Sequence, residues 1–205
     1  MADILQPELN PWPLWLKRLA LVLALALAVL LMGMLFGTAR RQPPRLLLSG
    51  AGHEMTFART LERLIAGAER RVSLTMFVMR EDGDGPVTQL MQTLADAAKR
   101  GVRVQVALDR GSDWQTGKPD TKHAAAAAWL TTHGVAVVLD EMTITTHAKA
   151  LVVDGHWCVV GSHNWTRSAF TTNREASLLI DDAGIAAELE KWFAGIPGWE
   201  ERKPR

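Results

Sequence analysis

The stretch THAKALVVDGHWCVVGSHNWTRSAF, residues Thr146 to Phe170, sets a histidine, a lysine and an Asp-Gly step inside otherwise apolar sequence. Burying such polar groups unpaired costs about 1–3 kcal/mol each, so each needs a partner or a task. Two apolar runs, residues 147–153 and 156–162, joined by Asp154-Gly155 predict a β-hairpin with a two-residue turn. With Val153 facing His156, Ser162 falls opposite His147 and Val160 opposite Lys149. Alternation then places His147, Lys149 and Ser162 on one face, with Asn164 just beyond. Ala148, Ala150, Val152, Trp157 and Val159 take the other face. A hairpin apolar on both sides belongs inside a sheet. Its polar groups gather at the end away from the turn, where a sheet can carry a site.

Outward from the hairpin, the chain alternates between two periods. Residues 46–48 read as a short strand, and 56–69 as a helix with Leu61, Leu64 and Ile65 on one side. Residues 71–79 read as a strand. A helix over residues 86–99 starts at Pro86, repeats Leu90, Met91 and Leu94, and is closed by Gly101. Residues 102–108 alternate as a strand, 111–120 form a loop rich in turn formers, and 121–132 an alanine-rich helix stopped by Gly134. Residues 135–139 are the next strand. Strands alternating with helices predict an α/β layer structure around a largely buried central sheet.

The N-terminus is different in kind. No charge occurs from Leu19 to Ala39. Twenty-one residues in a helix rise about 32 Å, which matches a hydrocarbon core of about 30 Å. Trp12 and Trp15 precede the run where interfacial aromatics belong, and Lys17, Arg18, Arg40 and Arg41 bracket it. Gly37-Thr38-Ala39 offers a signal-peptide cleavage pattern, but the apolar run exceeds the usual 7–15 residue core of such peptides. Length therefore favours a single-pass anchor. Two basic residues on one flank against Arg40, Arg41 and Arg45 on the other leave the side of the membrane open. The expected organisation is an N-terminal segment 1–18, a transmembrane helix 19–39, a proline-stiffened linker 40–45, a globular domain 46–197 and a tail 198–205.

The formal net charge of +1 conceals a split. Residues 1–41 hold four basic and two acidic side chains, which leaves 19 basic against 20 acidic in residues 42–205. A dedicated DNA-binding domain is usually clearly basic, so composition withholds support for nucleic acid while allowing a local basic groove. One cysteine, Cys158, excludes an internal disulfide and any multi-cysteine zinc site. His156 and Cys158 share a strand face in this reading, but with no further ligand nearby they read as a packed pair.

His147-x-Lys149-x4-Asp154-x6-Gly161-Ser162-x-Asn164 resembles the signature of the phospholipase D superfamily. Several fixed positions at fixed spacing make the pattern far more specific than a short motif. Asn173 and Glu175 fit as well, and the resemblance spans residues 46 to 193. In form the chain is most similar to the short members with one such motif, bacterial endonucleases and mitochondrial cardiolipin hydrolase-like proteins. It has no second His-x-Lys, because His53 and His123 lack the lysine, and no cysteine-rich metal-binding insert.

The resemblance implies α/β/α layers around a mixed sheet, behind one N-terminal membrane helix. It implies cleavage of a phosphodiester through a covalent phosphohistidine, without a metal or cofactor. Neutral imidazole is a good nucleophile near pH 7. A second imidazolium protonates the leaving oxygen and later deprotonates water. Lys149 and Asn164 hold the phosphoryl oxygens as charge builds, and Glu175 is the carboxylate that orients the imidazole. Asp154 has a sufficient reason as a turn residue, and Ser162 has one as a local hydrogen-bond partner; both stand beside the first four as site residues. Trp165 reads as core.

Both the anchor and the non-basic domain lean towards a phospholipid substrate at a membrane. The alternatives are a nuclease using the same chemistry and a catalytically silent membrane scaffold or binding module. An intact His/Lys/Asn/Glu set counts against the scaffold, since a pure binder needs no nucleophile. One His-x-Lys set where the reaction wants two histidines predicts a homodimer with a composite centre on its two-fold axis.

Overall fold

The computed structural model describes residues 12–35, 42–50, 52, 53, 55–111 and 122–199. They divide into two units, Met1–Arg41 and Gln42–Arg205. In the first, α1 (Leu14–Leu35) begins five residues before the expected span. Pro13 starts it early: its preset φ suits a helix entrance, and its carbonyl accepts the N–H groups of Leu16 and Lys17. The stretch Leu14–Met32 is long and apolar enough to cross a membrane, and none of it is buried. Residues 36–39 of the expected span lie outside the described residues.

The second unit is built on β1 (Arg45–Leu48), α2 (Thr56–Ala66), β2 (Arg71–Met76), α3 (Pro86–Lys99), β3 (Arg103–Leu108), α4 (Ala124–Thr132), β4 (Ala136–Leu139), β5 (Lys149–Val153), β6 (Trp157–Gly161), α5 (Arg167–Thr171), β7 (Ala176–Asp181) and α6 (Ala183–Phe193). One seven-stranded sheet has the order β1-β7-β6-β5-β2-β3-β4. β2, β3 and β4 are parallel, and β5, β6, β7 and β1 continue from β2 antiparallel. The sheet is therefore mixed, as expected.

Alternation along the strands separates two cores. Val72, Leu74, Met76, Val104, Val106, Leu151 and Val153 face Leu61, Ile65, Leu90 and Leu94 of α2 and α3. On the reverse face Ala150, Val152 and Cys158 pack against Phe193, Ile196 and Trp199 in and after α6. α6 starts at Asp182, whose carboxylate accepts the N–H groups of Gly184 (2.7 Å) and Ile185 (3.2 Å).

The hairpin forms, and every residue of β5 is buried, but its register is one residue off the expected one. Val153 pairs with Trp157 and Ala150 with Val160. Asp154 (φ 53°) and Gly155 (φ 74°) make the expected turn, closed by the His156 N–H on the Val153 carbonyl at 3.2 Å. His156 is then an extra residue before the ladder resumes. Two distant contacts hold this bulge. The Asp154 carboxylate is tied to the start of β2, and His156 Nδ1 lies 2.8 Å from Asp181 Oδ1 on β7. In consequence Trp157 and Val159 sit with Leu151 and Val153 on the α2/α3 side, and Cys158 alone of the three sits with Ala150 and Val152. Ser162 does not share the face of His147 and Lys149 by strand parity, and reaches the same end of the sheet by following β6.

Two further boundaries differ. α2 stops at Gly67 rather than residue 69, because the amides beyond it are taken by Asp154. β2 stops at Met76 rather than residue 79, because residues 78–80 pair with Asn164 and Trp165 instead. The predicted loop 111–120 and the start of the helix after it lie almost wholly outside the described residues.

Candidate active site

β5 runs antiparallel to β2, so its first residue lies beside the carboxyl ends of β2 and β3. Open α/β sheets place their sites at this end. The end of β6 and the start of β7 arrive at the same edge. Thus His147, Lys149, Ser162, Asn164 and Glu175, spread over 29 positions of sequence, are brought to one end of one sheet.

His147 is exposed, whereas Lys149 is buried at 8% exposure. Lys149 Nζ lies 3.2 Å from His147 Nδ1, 3.3 Å from its Nε2, and donates to its carbonyl at 2.5 Å. The Phe77 ring forms the wall, 4.3 Å from the His147 ring and 4.7 Å from Lys149 Nζ. Among the described residues no carboxylate lies within salt-bridge distance of Lys149. Burial pushes its pKa below the ordinary 10.5, and the charges of Glu175 and Asp109 pull the other way. A buried ammonium without a direct counter-ion costs stability. It is also a ready seat for an anion.

The far wall is a stitched segment. Glu175 Oε2 accepts from Ser162 Oγ at 2.5 Å, and Glu175 Oε1 accepts from Asn173 Nδ2 at 3.1 Å. Ser162 Oγ accepts in turn from the Ala176 N–H at 3.1 Å. Gly161 permits this closeness, since a Cβ there would lie 2.1 Å from Ser177 Oγ and 2.4 Å from the Ala176 carbonyl. The expected contact between Glu175 and His147 is absent from the contacts of the described residues; Glu175 is held by Ser162 and Asn173 instead. Asn164 Oδ1 accepts from the Val78 N–H at 3.2 Å, which leaves the amide nitrogen as its donor end.

Asp154 is not part of this group. It lies at the turn, seven residues and roughly 20 Å of strand from His147. Its carboxylate accepts from the backbone N–H groups of Glu69 (2.9 Å), Arg70 (2.8 Å) and Arg71 (2.9 Å). Burial raises its pKa, but these three amides and Arg70 outweigh that and leave it lowered. Asp154→Ala is expected to lower stability by roughly 2–3 kcal/mol, the scale for losing charge-assisted bonds, with kcat at permissive temperature within about twofold of wild type. Asp154→Asn, which tolerates the positive φ and keeps one acceptor oxygen, loses less. Thermal unfolding beside an activity assay checks both.

Sequence reasoning missed four neighbours: Phe77 and Asp109, which follow β2 and β3, Lys122 just before α4, and His163 inside the motif itself. Asp109, 1% exposed at the end of β3, accepts from the Thr146 N–H at 2.9 Å and from Lys122 Nζ at 2.8 Å. Lys122 lies 4.4 Å from the Phe77 ring centroid. The available signal was modest: Asp109 follows the cleanest strand in the chain, where site residues collect. His163, between two expected site residues, is wholly buried, stacks on Phe57 at 3.9 Å and bonds Ser177 Oγ at 2.8 Å. Burial holds its pKa down to about 4. Trp165 is core, as expected. Cys158 is buried and its thiol is pushed up to about 11 by burial, which removes it as a nucleophile.

Fold and site together define a mixed-sheet α/β domain with a histidine–lysine pair at the open end of a central hairpin. Residues 61–196 match the family described as "Cardiolipin synthase, PLD-like domain", and the chain belongs to the phospholipase D superfamily. A mitochondrial cardiolipin hydrolase of Xenopus laevis is 32% identical over 151 residues, which is 74% of this chain and 64% of that protein, just under two thirds of its length. Cardiolipin synthase A of Klebsiella pneumoniae is 32% identical over 109 residues, covering 51% of this chain and 21% of that one. Among solved structures, a phospholipase D family member, Nuc from Salmonella typhimurium, superposes with a TM-score of 0.57 at 22% identity, over 73% of this chain and 92% of that chain. That likeness supports the fold.

Proposed function

We propose that the protein is a membrane-anchored phosphodiesterase of phospholipase D type, with phospholipid as its substrate. The observation that carries this reading is Lys149: a buried lysine with no carboxylate within salt-bridge distance among the described residues, touching the ring of an exposed histidine. Together they offer a cation for a phosphoryl oxygen and a nucleophile for the phosphorus. The relatives' names, one a cardiolipin hydrolase and one a cardiolipin synthase, support phosphodiester hydrolysis or transfer on lipid. Residues 19–39 anchor the chain, 40–45 link, and 46–197 are the catalytic domain. The apolar stretch Leu14–Met32 supports single-pass anchoring.

In the proposed reaction an imidazole nitrogen of His147 attacks phosphorus and a P–N bond forms. The P–O bond to the leaving group breaks, and its oxygen takes a proton from a second, protonated imidazole. Water then attacks phosphorus, gives its proton to that imidazole, and the P–N bond breaks. Lys149 and the Asn164 amide hold the non-bridging oxygens as their charge grows. Glu175, fixed by Ser162 and Asn173, supplies a negative field that opposes the lowering of the Lys149 pKa by burial.

We take the second imidazole from a second copy of the chain. His163 and His123 are both buried, and burial pushes both pKa values down, so neither is an imidazolium at neutral pH. His147 of a second copy across a two-fold axis supplies it, which makes the working unit a homodimer with one composite centre. A shared membrane raises the local concentration of partners.

The test is to incubate the protein with labelled phospholipid vesicles and with single- and double-stranded DNA and RNA, in EDTA. Lipid head-group release that persists in chelator is expected, because lysines supply the positive charge. Loss of activity restored by Mg²⁺ or Zn²⁺ would replace this mechanism with metal-assisted hydrolysis. Cleavage of nucleic acid alone would select the nuclease reading, and no cleavage of any substrate the scaffold.

A further inference from the structure

The segment between β4 and β5 ends on the nucleophile, and its make-up is unusual for a water-exposed loop. Residues 142–146 carry no charge, Ile144 is 59% exposed, and Met142 (38%) and Leu139 (46%) are also open to solvent. Single exposed apolar side chains need no explanation. Three within six positions, beginning eight residues before His147, ask for one.

This loop is tied at its base, so its apolar tip is held outward. Asp140 and Thr146 are both buried. The Thr146 hydroxyl donates to the Asp140 carboxylate, closing the loop on itself. The Thr146 N–H donates to Asp109 at 2.9 Å, and the Asp140 N–H to the Leu108 carbonyl at 2.9 Å. Asp140 and Thr146 face inward and stitch the base to the end of β3, while Met142 and Ile144 lie open to solvent together with Thr143 and Thr145.

We propose that this loop is a membrane-contact element: Met142 and Ile144 enter the interfacial region of a phospholipid bilayer and set His147 at headgroup depth. In its choice of substrate the proposal rests on the phospholipase reading above. Lipid is favoured as the occupant by chain length, since nine residues, 36–44, separate the end of α1 from β1. A covalent link of nine residues spans at most about 30 Å. Thr143 and Thr145 on either side of Ile144 also suit a headgroup boundary, where hydroxyls stay hydrated and apolar groups do not.

The test uses the full-length protein in phospholipid vesicles, with the double variant Met142→Asp/Ile144→Asp. Hydrolysis of vesicle phospholipid is expected to fall about tenfold or more, on the scale of withdrawing two large apolar side chains from lipid. Hydrolysis of water-soluble bis(p-nitrophenyl) phosphate is expected to stay within about twofold. Equal rates in variant and wild type on vesicles, or a parallel loss on both substrates, would overturn the proposal. So would conversion of the detergent-solubilised variant to monomers, which would make the patch a contact between copies. A second arm is independent of activity. Ile144→Cys carrying an environment-sensitive fluorophore should be quenched by doxyl-labelled lipid, while the same label at exposed Lys99→Cys should not; Cys158 is buried and escapes labelling. If wild type cleaves neither substrate yet residue 144 is quenched, the phospholipase reading fails and the membrane contact stands. No quenching at residue 144 overturns it.

Discussion

His147→Asn is expected to lower turnover by about 10⁴-fold or more, the scale on which removing a covalent nucleophile acts, with the fold unchanged. Asparagine is close in size and hydrogen-bonding capacity to imidazole but forms no phosphoryl adduct. His147 is exposed, and its ring contact is with Phe77 and its side-chain polar contact with Lys149, so little packing is lost and the unfolding midpoint should stay within a few degrees of wild type. Lys149 remains in place, so substrate affinity should change far less than kcat. Steady-state kinetics beside thermal unfolding check the split. Near-normal turnover in a pure preparation would remove His147 from the mechanism.

The second large effect is expected from mixing chains. A purified heterodimer of one His147→Ala chain and one wild-type chain should retain a few per cent of wild-type activity or less. The composite centre has two histidines with complementary duties, one attacking phosphorus and one giving a proton to the leaving oxygen, and the mixed centre keeps only one. Whichever duty the surviving histidine takes, the other is unfilled, and general acid–base assistance alone is worth about 10²–10⁴-fold. The buried, neutral His123 and His163 cannot stand in. The measurement needs two affinity tags, so that only the mixed species is assayed. Half of wild-type activity would mean that each chain works alone and that the proton donor lies within it.

What the sequence disclosed and what it withheld divide along contact range. The spacing His147-x-Lys149 … Gly161-Ser162-x-Asn164 is covalent information, and the sheet needs only fold as a hairpin to gather those residues. The register shift shows the limit. Asp-Gly prescribes a two-residue turn locally, but the ladder is set by Asp154 reaching the amides of residues 69–71 and His156 reaching Asp181. Both partners are tens of residues away, and no local rule contains them.

The same reasoning explains the missed residues. Phe77 and Asp109 come near His147 only because β2 and β3 end where β5 begins, and Lys122 is held beside them by its ion pair with Asp109. None of them belongs to a spaced motif. His163 was overlooked because it sits between Ser162 and Asn164, where the pattern leaves the position open, yet it is the residue of that trio buried against Phe57. α5 is five residues long, too short for periodicity to register, and its start rests on Thr166 accepting the Ala169 N–H. β7 buries Ser177 and leaves Leu178 exposed, so polarity in ASLLID does not mark its faces, whereas the Asp182 cap that starts α6 is an ordinary local signal.

The claim on which the account turns is the bond between His147 and phosphorus. Quenching the full-length enzyme in alkaline denaturant with a substrate whose phosphorus is labelled, then locating the label by peptide mass spectrometry without acid steps, so that phosphoramidates survive, tests it most directly. The account predicts one labelled residue, His147, with the adduct forming and decaying at rates compatible with turnover, and no label in His147→Asn. Turnover with no adduct on any rapid-quench timescale, or an adduct on a residue other than His147, would contradict it.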